Sequence, residues 1–214
     1  MEMVAGNIMR IHGAGGNHFS EVRLIDTAEL RLAEIVAGTQ PSCVGVLRDR
    51  LTGSIDEFGI SLSTGPAQVC MAIEEALANA FYHGNLELDS KLKEDGSNRF
   101  SDLAKQRCQQ SPWKDREICI TELVTPYGVW FTISDEGRGY NVASAIKRIE
   151  DPMSILSSGR GLVMMKAFTD QLVFNHCGNE VTLVIYSNRN IDVKELLQER
   201  VRTRSLKTRR RSLI

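Results

Sequence analysis

Glu75, Asn79 and His83 follow one another at intervals of four in the stretch Glu74-Glu75-Ala76-Leu77-Ala78-Asn79-Ala80-Phe81-Tyr82-His83-Gly84. On a helix this spacing puts all three side chains on one stripe. The stripe borders an apolar one formed by Val69, Ile73, Ala76, Leu77 and Ala80. A carboxylate and an amide at the margin of a core are costly unless something pairs with them. A magnesium ion is one such partner: it takes oxygen ligands, and the Asn79 carbonyl can supply one while water and phosphates supply others. Glu75 beside it can then orient or deprotonate an attacking group, a role worth about 10²–10⁴ in rate. The alternative is a polar helix face satisfied by neighbouring backbone.

Two glycine-rich turns carry the next candidates. Ser134-Asp135-Glu136-Gly137-Arg138-Gly139 directly follows an alternating run, and its glycines let the backbone turn sharply and approach a ligand. Asp135 at a strand end can accept a hydrogen bond from an exocyclic amine such as adenine's, a contact worth about 1.5–3 kcal/mol. An ordinary Asp/Gly turn is the plainer reading. Ser157-Ser158-Gly159-Arg160-Gly161-Leu162 leads into a helical pattern. Free N–H groups and the positive end of a helix dipole there suit phosphate, and Arg160 can add a bidentate grip. A helix start capped by Ser158 explains the same residues without a ligand.

These residues need elements to hold them. The spacing predicts a strand, with a short helix as the alternative, over about 30–36, a helix from Pro41-Ser42 to Gly53, and a helix over about 65–82 closed by His83-Gly84-Asn85. Period-two runs predict strands around Ile118–Val124 and Val129–Ile133, although Thr121-Glu122-Leu123 blurs the first. Short helices over 142–149 and 162–169 follow. Strands over 171–177 and 180–187 come next, joined by Gly178-Asn179 as a hairpin signal. The expected domains are a flexible leader over 1–20, one domain over 21–190 and a C-terminal helix with a basic tail over 191–214. Residues 86–116 are charge-dense and read as an insertion with too few apolar residues for a core. Antiparallel strands interleaved with helices imply an α/β sandwich of the α+β class: a mixed, largely antiparallel sheet with helices on one face.

Hydrophobic content of 42% and charged content of 25% are ordinary for a soluble globular chain, and the net charge is −1. The balance is uneven. Arg200, Arg202, Arg204, Lys207, Arg209, Arg210 and Arg211 meet no acid after Glu199, and without these seven the body stands near −8. The tail is a candidate nucleic-acid or partner arm, or simply a solvated terminus. Cys43, Cys70, Cys108, Cys119 and Cys177 are odd in number and in no metal-ligand spacing, as expected of reduced thiols in a cytoplasmic protein. No apolar run approaches a membrane span, and no signal peptide is expected.

The order of parts narrows the reading. An acidic-amide helix, a strand ending in Asp-x-Gly-x-Gly, a Gly-x-Gly helix start and a closing strand pair together resemble the GHKL (histidine kinase-like) ATPase superfamily. Within it they are most similar to the bacterial anti-sigma factor serine/threonine kinases, whose helix reads Glu-x-x-x-Asn-Ala-x-x-His-Gly as Glu75 to Gly84 does. The resemblance implies the Bergerat ATP-binding fold, ATP and Mg2+ as cofactors, and a kinase that phosphorylates an anti-sigma factor antagonist and binds a sigma factor. It implies Glu75 as general base and Asn79 as the Mg2+ ligand. Asp135 would take the adenine amine, Gly137 and Gly139 would shape its pocket, and Thr182 would reach the adenine side. Gly159, Arg160, Gly161 and Leu162 would border the triphosphate behind a lid over 150–158. Ser157 stands where some family members carry an arginine, with Arg160 as the candidate substitute; His83 is expected to be structural. A homodimer is compatible with this resemblance. Competing readings are a nucleotide-gated binding module with little catalysis and a detached histidine-kinase catalytic domain.

Overall fold

Ile118, Ile120, Glu122 and Val124 are buried while Glu117, Cys119 and Thr121 between them are exposed. This alternation across one strand sets the architecture, because each strand must turn one side to the core. The computed structural model describes residues 9–12, 19–93, 98–150 and 160–188. Its strands are β1 (Met9–His12), β2 (Phe19–Asp26), β3 (Arg31–Gly38), β4 (Glu117–Thr125), β5 (Gly128–Asp135), β6 (Gln171–Phe174) and β7 (Glu180–Tyr186). They form one sheet in the order β1-β2-β3-β4-β5-β7-β6. Every neighbouring pair is antiparallel, in keeping with the largely antiparallel sheet expected, and none of the described pairs is parallel.

The helices are α1 (Cys43–Phe58), α2 (Pro66–Ala78), α3 (Arg99–Arg107), α4 (Val142–Glu150) and α5 (Arg160–Ala167). Leu47, Leu51, Ile73, Leu77 and Met165 from α1, α2 and α5 share one core with Ile35, Ile120, Phe131 and Leu183 of the sheet. Thus α1, α2 and α5 cover one face of the sheet, the α+β arrangement expected. Proline at the first turn starts α2, where its missing N–H costs nothing. Gly59 in the left-handed region ends α1, six residues beyond the Gly53 expected.

Four expectations change. The leader is strand where Met9–His12 pairs with β2, and Phe19 and Ser20 belong to β2 itself. The segment 86–116 does build a small core of its own: Leu86, Leu88 and Ala104 are buried, with Tyr82, Phe100, Leu103 and Trp113 packed on them. The helix carrying Glu75 does not stop at His83; it continues as a π-helix over Asn79–Asn85. Gly178-Asn179 closes a longer turn than a two-residue hairpin, since β6 ends at Phe174 and β7 begins at Glu180.

Glu122 blurs the strand pattern because it points inward with no apolar character, yet it is fully buried. Arg50 of α1 explains it. The guanidinium reaches Glu122 Oε2 at 2.9 Å and Glu21 Oε1 at 2.6 Å, and Ser54 donates a short hydrogen bond to Glu122 Oε1. Arg23 adds a 2.9 Å contact to Glu21. Burial alone would raise the Glu21 carboxyl, but hydrogen bonds from Arg50 and Arg23 outweigh it and hold the group below its ordinary value. The network fastens α1 to β2 and β4.

None of the five cysteines forms a disulfide. Among the described residues no helix is long and apolar enough to cross a membrane. The C-terminal helix, the basic tail, Gly159 and the lid beyond Glu150 lie outside the described residues.

Candidate functional site

A cavity of about 890 Å³ opens between α2, its π-helical continuation, α4, α5 and the ends of β5 and β7. Its size suits a nucleotide-sized ligand. Glu75, Asn79 and His83 line it from the helix, as the shared stripe requires. Asp135 and Gly139 line it from the first glycine turn, and Arg160, Gly161 and Leu162 from the start of α5. Segments separated by more than 80 residues thereby meet in one hollow.

The Asp135 end is the more tightly built. Asp135 N donates to Asn179 O at 2.9 Å, and Asn179 Nδ2 donates back to Asp135 O at 2.9 Å. Gly137 N donates to Asp135 Oδ1 at 2.8 Å. The π-helix explains the remaining contact. Its wider turn is closed by Leu86 N donating to Phe81 O at 3.0 Å, and π-helical turns of this kind are often found at functional sites. Gly84 lies in that turn so close to Asp135 that a Cβ would overlap the whole carboxyl group. That proximity, not a helix C-cap, is why glycine stands at this position. Gly139 has φ +69° and its missing Cβ leaves room for the Cys177 carbonyl.

Asp135 is only partly exposed, and burial pushes its carboxyl up to about 6 despite the opposing Gly137 N–H bond and the Arg116 charge. One Asp135 oxygen has the Gly137 donor; the cavity side has room for another. Tyr140 stands at the rim, its ring edge-on to Phe174 with centroids 6.0 Å apart.

At the other end, Glu75 and Asn79 face the first turn of α5. A Cβ on Gly161 would overlap Glu75 Oε2 and come within 3.9 Å of Asn79 Nδ2. A carboxylate, an amide and an arginine-bearing helix N-terminus therefore converge. Glu75 lies in α2, and Gly84, the residue against Asp135, lies nine residues further on in the π-helical continuation. Glu75 and Asn79 thus line one end of the cavity and the amine acceptor Asp135 the other.

A family model for the histidine kinase-like ATPase domain matches residues 25–185. The chain belongs to that family. Among curated proteins no sequence matches the chain. Membership of the histidine kinase-like ATPases implies ATP binding and, as general chemistry, ATP-dependent phosphoryl transfer. The match begins within β2 and ends within β7, so it takes in β3 to β6, nearly all of β7 and every helix described.

Of the expected positions, Glu75, Asn79, Asp135, Gly139, Arg160, Gly161 and Leu162 line the cavity. Gly137 acts through its N–H on Asp135. Thr182 is a correction. Its neighbours Val181 and Leu183 turn to the helix side, and its own hydroxyl meets Thr132 Oγ1 at 2.9 Å on the opposite side of the sheet. Asn179, read in the sequence only as a hairpin residue, is the one that reaches the cavity and braces Asp135. His83 Nδ1 lies 2.6 Å from the Leu88 carbonyl, a contact that needs the N–H on that nitrogen and fits a structural residue. No cluster of three His, Cys, Asp or Glu residues suited to a metal occurs among the described residues.

Proposed function

We propose that this ATPase is a serine/threonine protein kinase of the anti-sigma factor type, which phosphorylates an anti-sigma factor antagonist and captures a sigma factor. The observation that carries the reading is the convergence of Glu75 and Asn79 on Gly161, at the other end of the same cavity from Asp135. ATP lies with its base amine toward Asp135 and its phosphates toward the α5 N-terminus and Arg160. Mg2+ fits a donor set of this kind, since it keeps water and phosphate ligands and needs few from protein; Asn79 would hold it, and it would neutralise charge on the phosphates.

Glu75 receives the proton of the acceptor hydroxyl. As that oxygen bonds to the γ-phosphorus, the bond from phosphorus to the β,γ-bridging oxygen breaks and ADP leaves with the electron pair. Arg160 is the charged side chain of this chain placed to steady the transferring group.

Two results test the proposal. Incubation with γ-labelled ATP and the cognate antagonist places acid-stable phosphate on a serine or threonine. Acid-labile phosphate would instead mark a histidine-kinase catalytic domain. No transfer despite intact ATP binding would leave a nucleotide-gated capture module.

The second concerns pH. The folded Asp135 carboxyl, at about 6, lies above its usual 3.8. Its ionisation therefore costs folded-state stability, a cost absent below about 4 and complete above about 6. An adenine amine donates to the ionised form and offsets that cost, whereas the O6 carbonyl of inosine triphosphate repels it and accepts from the protonated form. The preference for ATP over ITP is accordingly greatest at pH 8 and falls below about pH 6, with phosphate titration cancelling in the ratio. A ratio unchanged from pH 5 to 8 would remove Asp135 as the base reader.

A further inference from the structure

We propose that Asn85 is a positioning residue for base recognition, tying the π-helical turn to the strand-end turn that carries Asp135 and so setting where that carboxylate stands. The inference rests on the reading of Asp135 as the adenine partner. Asn85 does not line the cavity and is fully buried. Its side-chain amide bridges separate pieces of chain. Nδ2 donates to Thr39 Oγ1 at 2.9 Å, beyond the end of β3, and to Glu117 O at 3.0 Å, at the start of β4. Oδ1 accepts from Glu136 N at 2.8 Å.

Glu136 is the residue after Asp135. Asn179 clamps the backbone N–H and carbonyl of Asp135 itself, and Asn85 clamps the next N–H. The two amides hold the carboxylate's backbone from opposite sides. Asn85 also adjoins Gly84, whose bare Cα abuts the Asp135 carboxyl. Arg116 fixes the π-helical turn in turn, donating from Nη1 to the Asn85 carbonyl at 2.6 Å. Only an amide offers an acceptor and two donors at that length; aspartate lacks the donors and alanine lacks both.

The test is calorimetric measurement of ATP and ITP affinity on the full chain, with melting curves alongside. Wild type should prefer ATP by about 10- to 100-fold, the ratio a charge-assisted hydrogen bond supports. Asn85→Ala should cut that ratio to about threefold or less, with ATP affinity falling and ITP affinity nearly unmoved. If this variant fails to fold, Asn85→Ser keeps a buried hydroxyl too short to reach Glu136 and carries the same expectation. Thr39→Val removes a bond on the far side of Asn85 and should lower the melting temperature while keeping the ratio. In a background of Asp135→Asn, the Asn85→Ala change should cost no further selectivity.

An Asn85→Ala protein that melts lower yet keeps full selectivity would make Asn85 merely structural and overturn the proposal. So would an equal loss of selectivity in Thr39→Val, which would signal general loosening. A wild type with no preference for ATP over ITP would overturn the reading of Asp135 itself, a distinguishable failure.

Discussion

Glu75→Gln lowers phosphoryl transfer by about 10²–10⁴ while ATP affinity stays within about threefold of wild type. The amide keeps the size and hydrogen-bonding reach of the carboxylate but cannot take a proton. Gly161 already lies against Glu75 Oε2, so a bulkier or shorter replacement would disturb the α5 N-terminus as well; glutamine does not. Single-turnover transfer with saturating ATP isolates the step. An unchanged rate would show that the acceptor loses its proton elsewhere, as a loose phosphoryl-transfer transition state allows. A loss of ATP affinity as large as the loss of rate would make Glu75 a binding residue.

The largest effect on folding falls far from the cavity. Arg50→Ala should destabilise the protein by about 3–5 kcal/mol, because Glu122 is then a buried carboxylate with only Ser54 beside it. Glu21 keeps Arg23 and suffers less. For a chain of this size the loss lowers the melting temperature by on the order of 10 °C. Arg50→Met combined with Glu122→Met should recover much of it, since an apolar replacement removes the desolvation cost together with the pair. If the single variant melts like wild type, the network contributes nothing.

That network also shows where sequence reading runs out. The inward positions of β4 are Ile118, Ile120, Glu122 and Val124, and the glutamate hides an intact alternation. Its partner Arg50 is 72 residues away and cannot be paired with it by spacing. The same holds for β2, where Glu21, Arg23 and Asp26 gave no apolar rhythm although the strand pairs along its length. β5, whose inward face is apolar, was plain from alternation, and β7 from its place after the Gly178-Asn179 turn.

The site divides in the same way. Glu75, Asn79 and His83 were legible because helical spacing depends on local geometry alone, and Asp135 and Gly161 because glycine marks close approach. Asn179 and Asn85 were not, since their work is long-range: each braces the Asp135 turn from a segment about 45 to 50 residues distant. The π-helical turn was equally hidden, as Gly84 satisfied a helix-end rule while serving a different need. Thr182 misled for a simple reason. A strand position near the cavity faces it or turns away from it, and one residue of register decides which.

In the proposed mechanism Asp135 anchors ATP in this cavity. Calorimetric titration of Mg-ATP into wild type and Asp135→Asn decides whether it does. Saturable binding to wild type, weakened at least about tenfold in a variant that melts like wild type, is the predicted result. No binding to folded wild type, or equal affinity in both proteins, would contradict it.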